Sequence, residues 1–287
     1  MKVKLYCCAF LLFVLGLPAA VGVYSQDKSE KYEKGGFCRQ NTWSNGDKVS
    51  FSEVREATMS AGGLVNVDAG RNGGVSVRGE NRRDVLVRAC VQTWGASDDA
   101  ARALARGVRI ETGSTIRAEN SSGDENGWSV SYEISVPRTT NLKLTARNGG
   151  IHIKAVEGAM EFDTTNGGIH LSDVAGDVKG RTTNGGVHIT LTGANWRGSG
   201  LDVMTTNGGV HLSIPENFAA RIETGTTNGG FHSDFPALSV EKPSEKNGWN
   251  RRSRVAADLN GGGAPLRLMT TNGGVHIKSS AGAGKDI

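Results

Sequence analysis

Through the middle and C-terminal parts of the chain, apolar and polar positions alternate in short runs that meet at a recurring Asn-Gly-Gly. The runs Leu142-Lys143-Leu144, Met160-Glu161-Phe162, Val178-Lys179-Gly180, Leu201-Asp202-Val203, Ile222-Glu223-Thr224 and Leu266-Arg267-Leu268 all begin six residues before an asparagine. Runs such as Ile151-His152-Ile153 and Val187-His188-Ile189 follow it. The typical unit reads apolar-charged-apolar-x-Thr-Thr-Asn-Gly-Gly-apolar-His-apolar. A period of two on both sides of a turn signal predicts half-buried β-strands.

Asn-Gly-Gly occurs eight times, at Asn72, Asn148, Asn166, Asn184, Asn207, Asn228, Asn260 and Asn272, and five of these are extended to Thr-Thr-Asn-Gly-Gly. From Asn72 to Asn228 the spacings are 76, 18, 18, 23 and 21 residues, then 44 to Asn272. A period near twenty predicts a solenoid. Eighteen residues trace roughly 60 Å of extended chain, enough for one flattened coil of two short strands and two corners. One corner is Asn-Gly-Gly, with positive φ expected at its glycines. The other is expected near Gly158, Gly176 and Gly193, and the 44-residue interval is expected to hold an extra coil around Ala257 to Gly263 plus a charged loop from Pro236 to Arg254.

Asn-Gly is also the favoured hairpin turn, so a series of hairpins competes with stacked coils. Stacking is preferred because near-identical units can place Asn on Asn and Thr on Thr at the strand spacing, with the amides bonded in a ladder. The expected fold is therefore all-β, a β-solenoid or β-helix-like stack of coils of about 18 to 23 residues.

The N-terminal third is less regular. Val85 to Val91 and Trp128 to Val136 read as longer amphipathic strands. One short helix is expected between them, with Ser97 as N-cap, Asp98 and Asp99 at its positive end, an apolar stripe of Ala100, Ala103 and Leu104, and Gly107 at its end. This region is the candidate cap, since a terminal coil otherwise leaves a strand edge unpaired.

The first 25 residues read as an address. Lys2 and Lys4 precede an apolar run from Leu5 to Val23, and Val23-Tyr24-Ser25 suits signal peptidase, which places cleavage near Ser25-Gln26. An uncleaved anchor is the competing reading, and no second membrane span follows. The domain reading is signal peptide 1–25, polar tether 26–36, N-terminal β region with helix 37–140, repeat solenoid 141–279 and tail 280–287.

Composition sharpens this picture. The chain has 41 glycines in 287 residues but only 6 prolines and no collagen period, so glycine is needed at regular sites in a sheet fold. Without the two leader lysines, 31 basic residues face 29 acidic ones, and nucleic acid is not an expected partner. Cleavage would leave Cys38 and Cys90 in an oxidising compartment. There they either close a disulfide or remain two thiols, with Cys90 on the strand face opposite Val85, Val87, Ala89 and Val91.

The repeats, the stretch Asn72-Gly-Gly-Val-Ser-Val77 and the segment from Val136 to Leu142 resemble the bacterial putative-adhesin family, also called the toast-rack domain, over about Ala61 to Ser279. The resemblance implies a β-solenoid on exported or envelope-associated bacterial proteins and supplies no catalytic residues.

All six histidines, His152, His170, His188, His211, His232 and His276, stand four residues after a repeat asparagine. Their apolar neighbours must point inward, so the imidazoles point outward and align on one face. A solvated position copied by repeat duplication, a metal-binding strip and a pH-responsive surface are all compatible with that alignment. Catalysis lacks a constellation: Asp163, Asp173, Asp177, Asp202 and Glu223 fall at different repeat positions, and Ser172 and Ser213 lack an orienting third group. Arg251, Arg252 and Arg254 beside Trp249 read as a flexible loop or an anion-holding cluster.

The expected function is an exported, non-enzymatic module, periplasmic, cell-surface or extracellular, whose partner is an envelope or surface component, protein or polysaccharide. It needs no cofactor. The alternatives are a metal-binding histidine-ladder protein and a carbohydrate-active enzyme on a β-helix scaffold.

Overall fold

The computed structural model describes residues 37–38, 48–121, 127–238 and 253–280. The leader 1–25, the tether 26–36, the end of the tail and the cluster of Trp249, Arg251 and Arg252 lie outside the described residues.

In chain order the N-terminal part contains β1 (Val49–Ser60), β2 (Leu64–Asp68), β3 (Val75–Glu80), β4 (Asp84–Gly95), α1 (Asp98–Gly107), β5 (Val108–Thr112), β6 (Ile116–Asn120) and β7 (Trp128–Pro137). The repeats follow as β8 (Asn141–Ala146), β9 (Ile151–Lys154), β10 (Glu157–Asn166), β11 (Ile169–Ser172), β12 (Ala175–Asn184), β13 (Val187–Thr190), β14 (Gly200–Asn207), β15 (Val210–Pro215), β16 (Ala220–Asn228) and β17 (Phe231–Ser233). A 3-10 turn at Pro236–Leu238, then β18 (Ser253–Leu259), β19 (Pro265–Asn272) and β20 (Val275–Ser280), complete the described chain.

Two ten-stranded sheets face each other across one apolar core. Sheet A has the order β1-β4-β7-β3-β9-β11-β13-β15-β20-β17, and sheet B the order β18-β16-β19-β14-β12-β10-β8-β2-β6-β5. Each repeat gives one strand to sheet B, turns at Asn-Gly-Gly, gives the next to sheet A, and returns through a second corner. Like positions pair in register between coils, as in Ile169↔Val187 and Val178↔Leu201, and the pairing is parallel. The fold is an all-β solenoid. Its core is built from the alternate residues of every strand, among them Ile153, Phe162, Ile189, Val203 and Leu268, all at or below 2 % exposure. Coils compensate each other in volume: a Cβ on Gly180 would fall 1.8 Å from the ring of Phe162 one coil below.

The coils do not stack in chain order. β19 and β20, the last coil, lie between β14–β15 and β16–β17, so the fifth Thr-Thr-Asn-Gly-Gly unit sits inside the stack and the fourth outside it. The expected extra coil around Ala257 to Gly263 is absent. Instead β18 runs antiparallel along the outer edge of β16, and the chain crosses back at Asn260, whose amide donates to the carbonyls of Glu216 and Phe218. Antiparallel β18 covers the edge of sheet B, and sheet A ends on the three-residue β17, both of which blunt an exposed edge.

The charges on sheet B match this order. On the outward face of sheet B one row reads Lys143, Glu161, Lys179, Asp202, Arg267, Glu223 across neighbouring strands, alternating in sign throughout. Chain-order stacking would set Asp202 directly beside Glu223, and opposed like charges destabilise a strand pair. The wedge puts Arg267 between them, with its guanidinium 3.3 Å from Asp202.

The Asn-Gly-Gly corner works differently from the expectation of positive φ. Gly167, Gly185 and Gly208 are not in the left-handed region. A Cβ on any of them would stand 2.0 to 2.1 Å from a carbonyl oxygen of the adjacent coil, so the first glycine is required by backbone approach. Inside the same corner the first threonine of each unit is buried and donates to that glycine's carbonyl in the adjoining coil, as Thr182 does to Gly167 at 2.8 Å. Positive φ occurs at the second corner instead, at Ala155, Asp173, Gly176 and Gly193.

At the N-terminal end β2 and β3 form a first coil in register with β8 and β9, and β4, α1, β5, β6 and β7 lie in the chain between β3 and β8. β7 adds to sheet A parallel to β3, β4 and β1 continue it in antiparallel fashion, and β5 and β6 extend sheet B. α1 is capped by Ser97, whose hydroxyl accepts from the Ala100 amide. Its buried residues are Ala101 and Ala105, not the expected stripe of Ala100, Ala103 and Leu104. Backbone fit decides this: the Thr93 hydroxyl donates to the Ala101 carbonyl, and Gly95 leaves room that a Cβ would fill 2.5 Å from the Ala101 nitrogen. Cys38 and Cys90 are joined as a disulfide, with Cα atoms 5.3 Å apart, which ties the N-terminal segment to the outer face of β4.

Candidate functional site

Sheet A's outward positions from β3 to β17 make two rows. The first contains Ser76, His152, His170, His188, His211, His276 and His232, each paired in register with the next. All six candidate histidines therefore share one line. Five imidazoles are stacked face to face, with centroid separations of 4.5, 4.8, 4.8 and 5.0 Å and ring planes within 8° of parallel. His232 closes the row tilted at 50° and 6.2 Å, and its Nε2 lies 3.6 Å from Asp234.

The second glycine of each corner makes this possible. Each of the five stacked rings lies back across the glycine two residues before it, so that the His152 Nε2 stands 3.2 Å from where a Gly150 Cβ would be, and His170, His188, His211 and His276 repeat the arrangement, whereas a Gly230 Cβ would meet nothing within 4 Å. Ring faces are thus occupied by neighbouring rings and ring edges meet solvent. Burial lowers the proton affinity of His152. It is also the first cause for His170 and His211, followed by the charges of their stacked neighbours and, for His211, of Lys278. For His170 and His211 repulsion from stacked neighbours adds to desolvation, which is the larger cause.

A metal strip needs imidazole nitrogens that converge on one ion at about 2.0 to 2.1 Å. Stacked rings hold their nitrogens parallel, one coil apart. Among the described residues no group of three or more His, Cys, Asp or Glu side chains is placed to hold an ion.

The second row, two residues further along each strand, contains Arg78, Lys154, Ser172, Thr190, Ser213 and Lys278. It leads to a cavity of about 400 Å³ at the second corner, where Arg138, Lys154 and Arg197 surround Asp173 and Thr192. The Thr192 hydroxyl donates to Asp173 at 2.8 Å, and Arg197 lies 3.3 Å from Glu157. Trp196 lines the floor with its indole N–H given to the Gly176 carbonyl. This cavity escaped the sequence reading because four separate coils and the connection into β8 contribute to it.

The acidic residues do not assemble into a catalytic pair. Asp163, Asp202 and Glu223 sit on the outward face of sheet B, with Arg267 between the last two, while Asp177 pairs with Lys179 and Asp173 lies at the opposite corner. Ser172 and Ser213 lie in the row beside the imidazoles, with no third group to orient them.

Residues 108–278, more than half of the chain, match the family model described as Toastrack DUF4097. The chain belongs to this Toastrack family. Its fold is similar to a "putative cell adhesion protein" of Clostridium sporogenes ATCC 15579, at 11 % identity over 79 % of this chain and 100 % of that one, with a TM-score of 0.44. It is similar also to a "putative adhesin" of Bacteroides fragilis NCTC 9343, at 10 % identity over 79 % and 97 % with a TM-score of 0.33. A "putative lipid binding protein" of Parabacteroides distasonis ATCC 8503 aligns at 8 % identity over 80 % and 96 %, with a TM-score of 0.27. None of these likenesses transfers a function to this Toastrack chain. No curated protein sequence matches it. Among its described residues no helix is long and apolar enough to cross a membrane.

Proposed function

We propose that the chain is an exported, non-enzymatic interaction module that presents the outward face of sheet A to an envelope or surface component. One observation carries this reading. The ladder face repeats the same side chain over five stacked coils, with both ring faces of its central members used for packing, which makes a rigid array rather than a reactive centre. Surface charges on sheet B alternate and cancel, while the second row of sheet A from β3 to β20 is basic and hydroxyl-bearing, with no carboxylate in it. The leader-like segment 1–25 and the Cys38–Cys90 bridge fit an oxidising compartment outside the cytoplasm.

Two measurements test the reading. N-terminal sequencing of the protein recovered from outside the cytoplasm should begin at or near Gln26. Immobilised mature chain should retain an envelope component from a fractionated cell surface, and should leave that component's glycosidic and ester bonds uncut. Cytoplasmic retention, or turnover of the captured polymer, would overturn it.

A further inference from the structure

The two faces of the sandwich differ in how their charges are arranged. On sheet B every basic side chain of the central row has a carboxylate on the neighbouring strand. On sheet A, from β3 to β20, the outward positions are Ser76 and the five stacked imidazoles in one row and Arg78, Lys154, Ser172, Thr190, Ser213 and Lys278 in the other. Neither row contains a carboxylate. Acidic groups stand at the margins: Glu133 on β7 beyond Ser76, Glu80 at the end of β3 beyond Arg78 and paired with Arg82, Asp234 beside His232, Glu216 beside Ser279, Glu157 paired with Arg197, and Asp173 at the second corner, already bonded to Thr192. Beyond the corner, Arg138 and the Glu157-paired Arg197 line the cavity that Lys154 also lines, with Asp173 among them.

We propose that this face, from the imidazole row to the basic cavity, is a docking surface for a linear acidic polysaccharide carrying a carboxylate on its sugars, held more tightly as the pH falls. The proposal rests on the interaction-module reading and names its ligand class. Cations and imidazoles set at the strand spacing form a straight track on which a polymer of repeating negative charge can lie, and the intervening hydroxyls suit sugar hydroxyl groups. No outward residue of the two rows is apolar, so nothing is available to insert into a bilayer. The central imidazole faces are covered by one another, so they offer no platform for stacking nucleic-acid bases. At neutral pH the track carries Arg78, Lys154 and Lys278. Acidification adds imidazolium groups where no carboxylate offsets them, and a bound polyanion favours that protonation in return.

The test uses the mature full chain with polygalacturonate as probe, neutral dextran as control, and single-stranded DNA and anionic phosphatidylglycerol vesicles as competing classes. Polygalacturonate carboxylates stay ionised at about pH 5, so a pH effect between about pH 8 and pH 5 reports on the protein. Binding is expected to tighten by about tenfold or more over that range and to weaken with salt. The triple variant His170→Asn, His188→Asn, His211→Asn should lose most of the pH effect. The double variant Arg138→Ala, Lys154→Ala should weaken binding at both pH values, and it keeps the test valid if the triple variant fails to fold.

Equal affinity at both pH values, equal binding of dextran, tighter binding of DNA or vesicles, or a triple variant that folds and keeps the full pH effect would each overturn the proposal. An envelope component captured by the wild-type chain and equally by both variants would overturn it too, while leaving the interaction module standing. Capture of nothing by the wild-type chain would sink the module itself.

Discussion

Asn272 donates its side-chain amide to Asn207, 65 residues earlier, at 2.8 Å, and accepts in turn from Asn228 at 2.8 Å. Six such bonds link Asn72, Asn148, Asn166, Asn184, Asn207, Asn272 and Asn228, all running in one direction at 2.7 to 2.9 Å. The ladder is therefore continuous through the place where the chain order breaks. Each asparagine has the same partner type above and below, so the amide row alone cannot choose which coil goes where. The charge row on sheet B differs from coil to coil and so distinguishes the two orders.

Reversing Arg267 tests that selection. Arg267→Glu would line up three carboxylates at Asp202, position 267 and Glu223, and should destabilise by about 0.5 to 1 kcal/mol at low salt, less at high salt. Adding Asp202→Lys should recover part of the loss. Denaturant titration of the two single variants and the double variant measures the coupling; strictly additive effects would remove charge as the determinant of coil order.

The two glycines of one corner should respond differently. Gly185→Ala brings a methyl group to 2.1 Å from the Gly167 carbonyl oxygen, a backbone atom that cannot move without parting two coils, so a loss above about 2 kcal/mol is expected. Gly186→Ala meets the His188 ring at 3.2 Å and the Gly209 carbonyl oxygen at an ordinary 3.6 Å. It should cost less, and His188→Ala should relieve it. Equal costs at the two positions in thermal melts would contradict this division of roles.

How much of this was legible in the sequence depends on whether a feature belongs to one unit or to the relation between units. Strand period, the Asn and Thr positions and the outward histidines repeat identically, so the pattern of a single unit suffices to place them. Coil order is a relation, and spacing does not reveal it because neighbours in the chain are not always neighbours in space. The alternation of Lys143, Glu161, Lys179, Asp202, Arg267 and Glu223 was present in the sequence as the missing signal. Asn260 carries the tripeptide without the preceding threonines or the following histidine, and it serves a crossing rather than a corner. The local preference of Asn-Gly predicts positive φ at Gly185, whereas the constraint there comes from the coil stacked on it. Buried Ala101 in place of Ala100 follows from Gly95 and Thr93, which no helical periodicity contains.

Inward and outward positions should separate cleanly on β13. Ile189 is buried at 1 % exposure between Leu171 and Leu212, so Ile189→Asp places an unpaired charge in the core and should prevent stable folding or cost several kcal/mol. His188→Asn leaves the core untouched and should stay within about 1 kcal/mol. Comparable losses in denaturant titrations would refute the register.

Zinc, copper or nickel at micromolar concentration should leave the melting temperature unchanged, because a shared ion would require two stacked rings to leave the stack. An ion-dependent rise that disappears in His170→Ala, His188→Ala would establish the metal strip instead.

Stability should fall as the pH drops through and below the ordinary histidine range. His152, His170 and His211 bind protons more weakly in the folded chain than in the unfolded one. Above that range all three are neutral in both states and contribute no pH dependence. As the pH falls through the unfolded value of about 6.5, the unfolded chain takes up protons first, so the loss begins there and levels off below the lower folded values. The causes differ between the three, which makes the origin of the effect separable. His152 is shifted by burial, whereas His170 and His211 each carry a contribution from His188. His188→Asn should therefore raise the proton affinity of His170 and His211 and leave His152 where it is. Imidazole shifts followed by NMR across the titration read all three at once. A change at His152 equal to that at its neighbours, or none at His170 and His211, would mean that the stacked rings do not sense one another's charge.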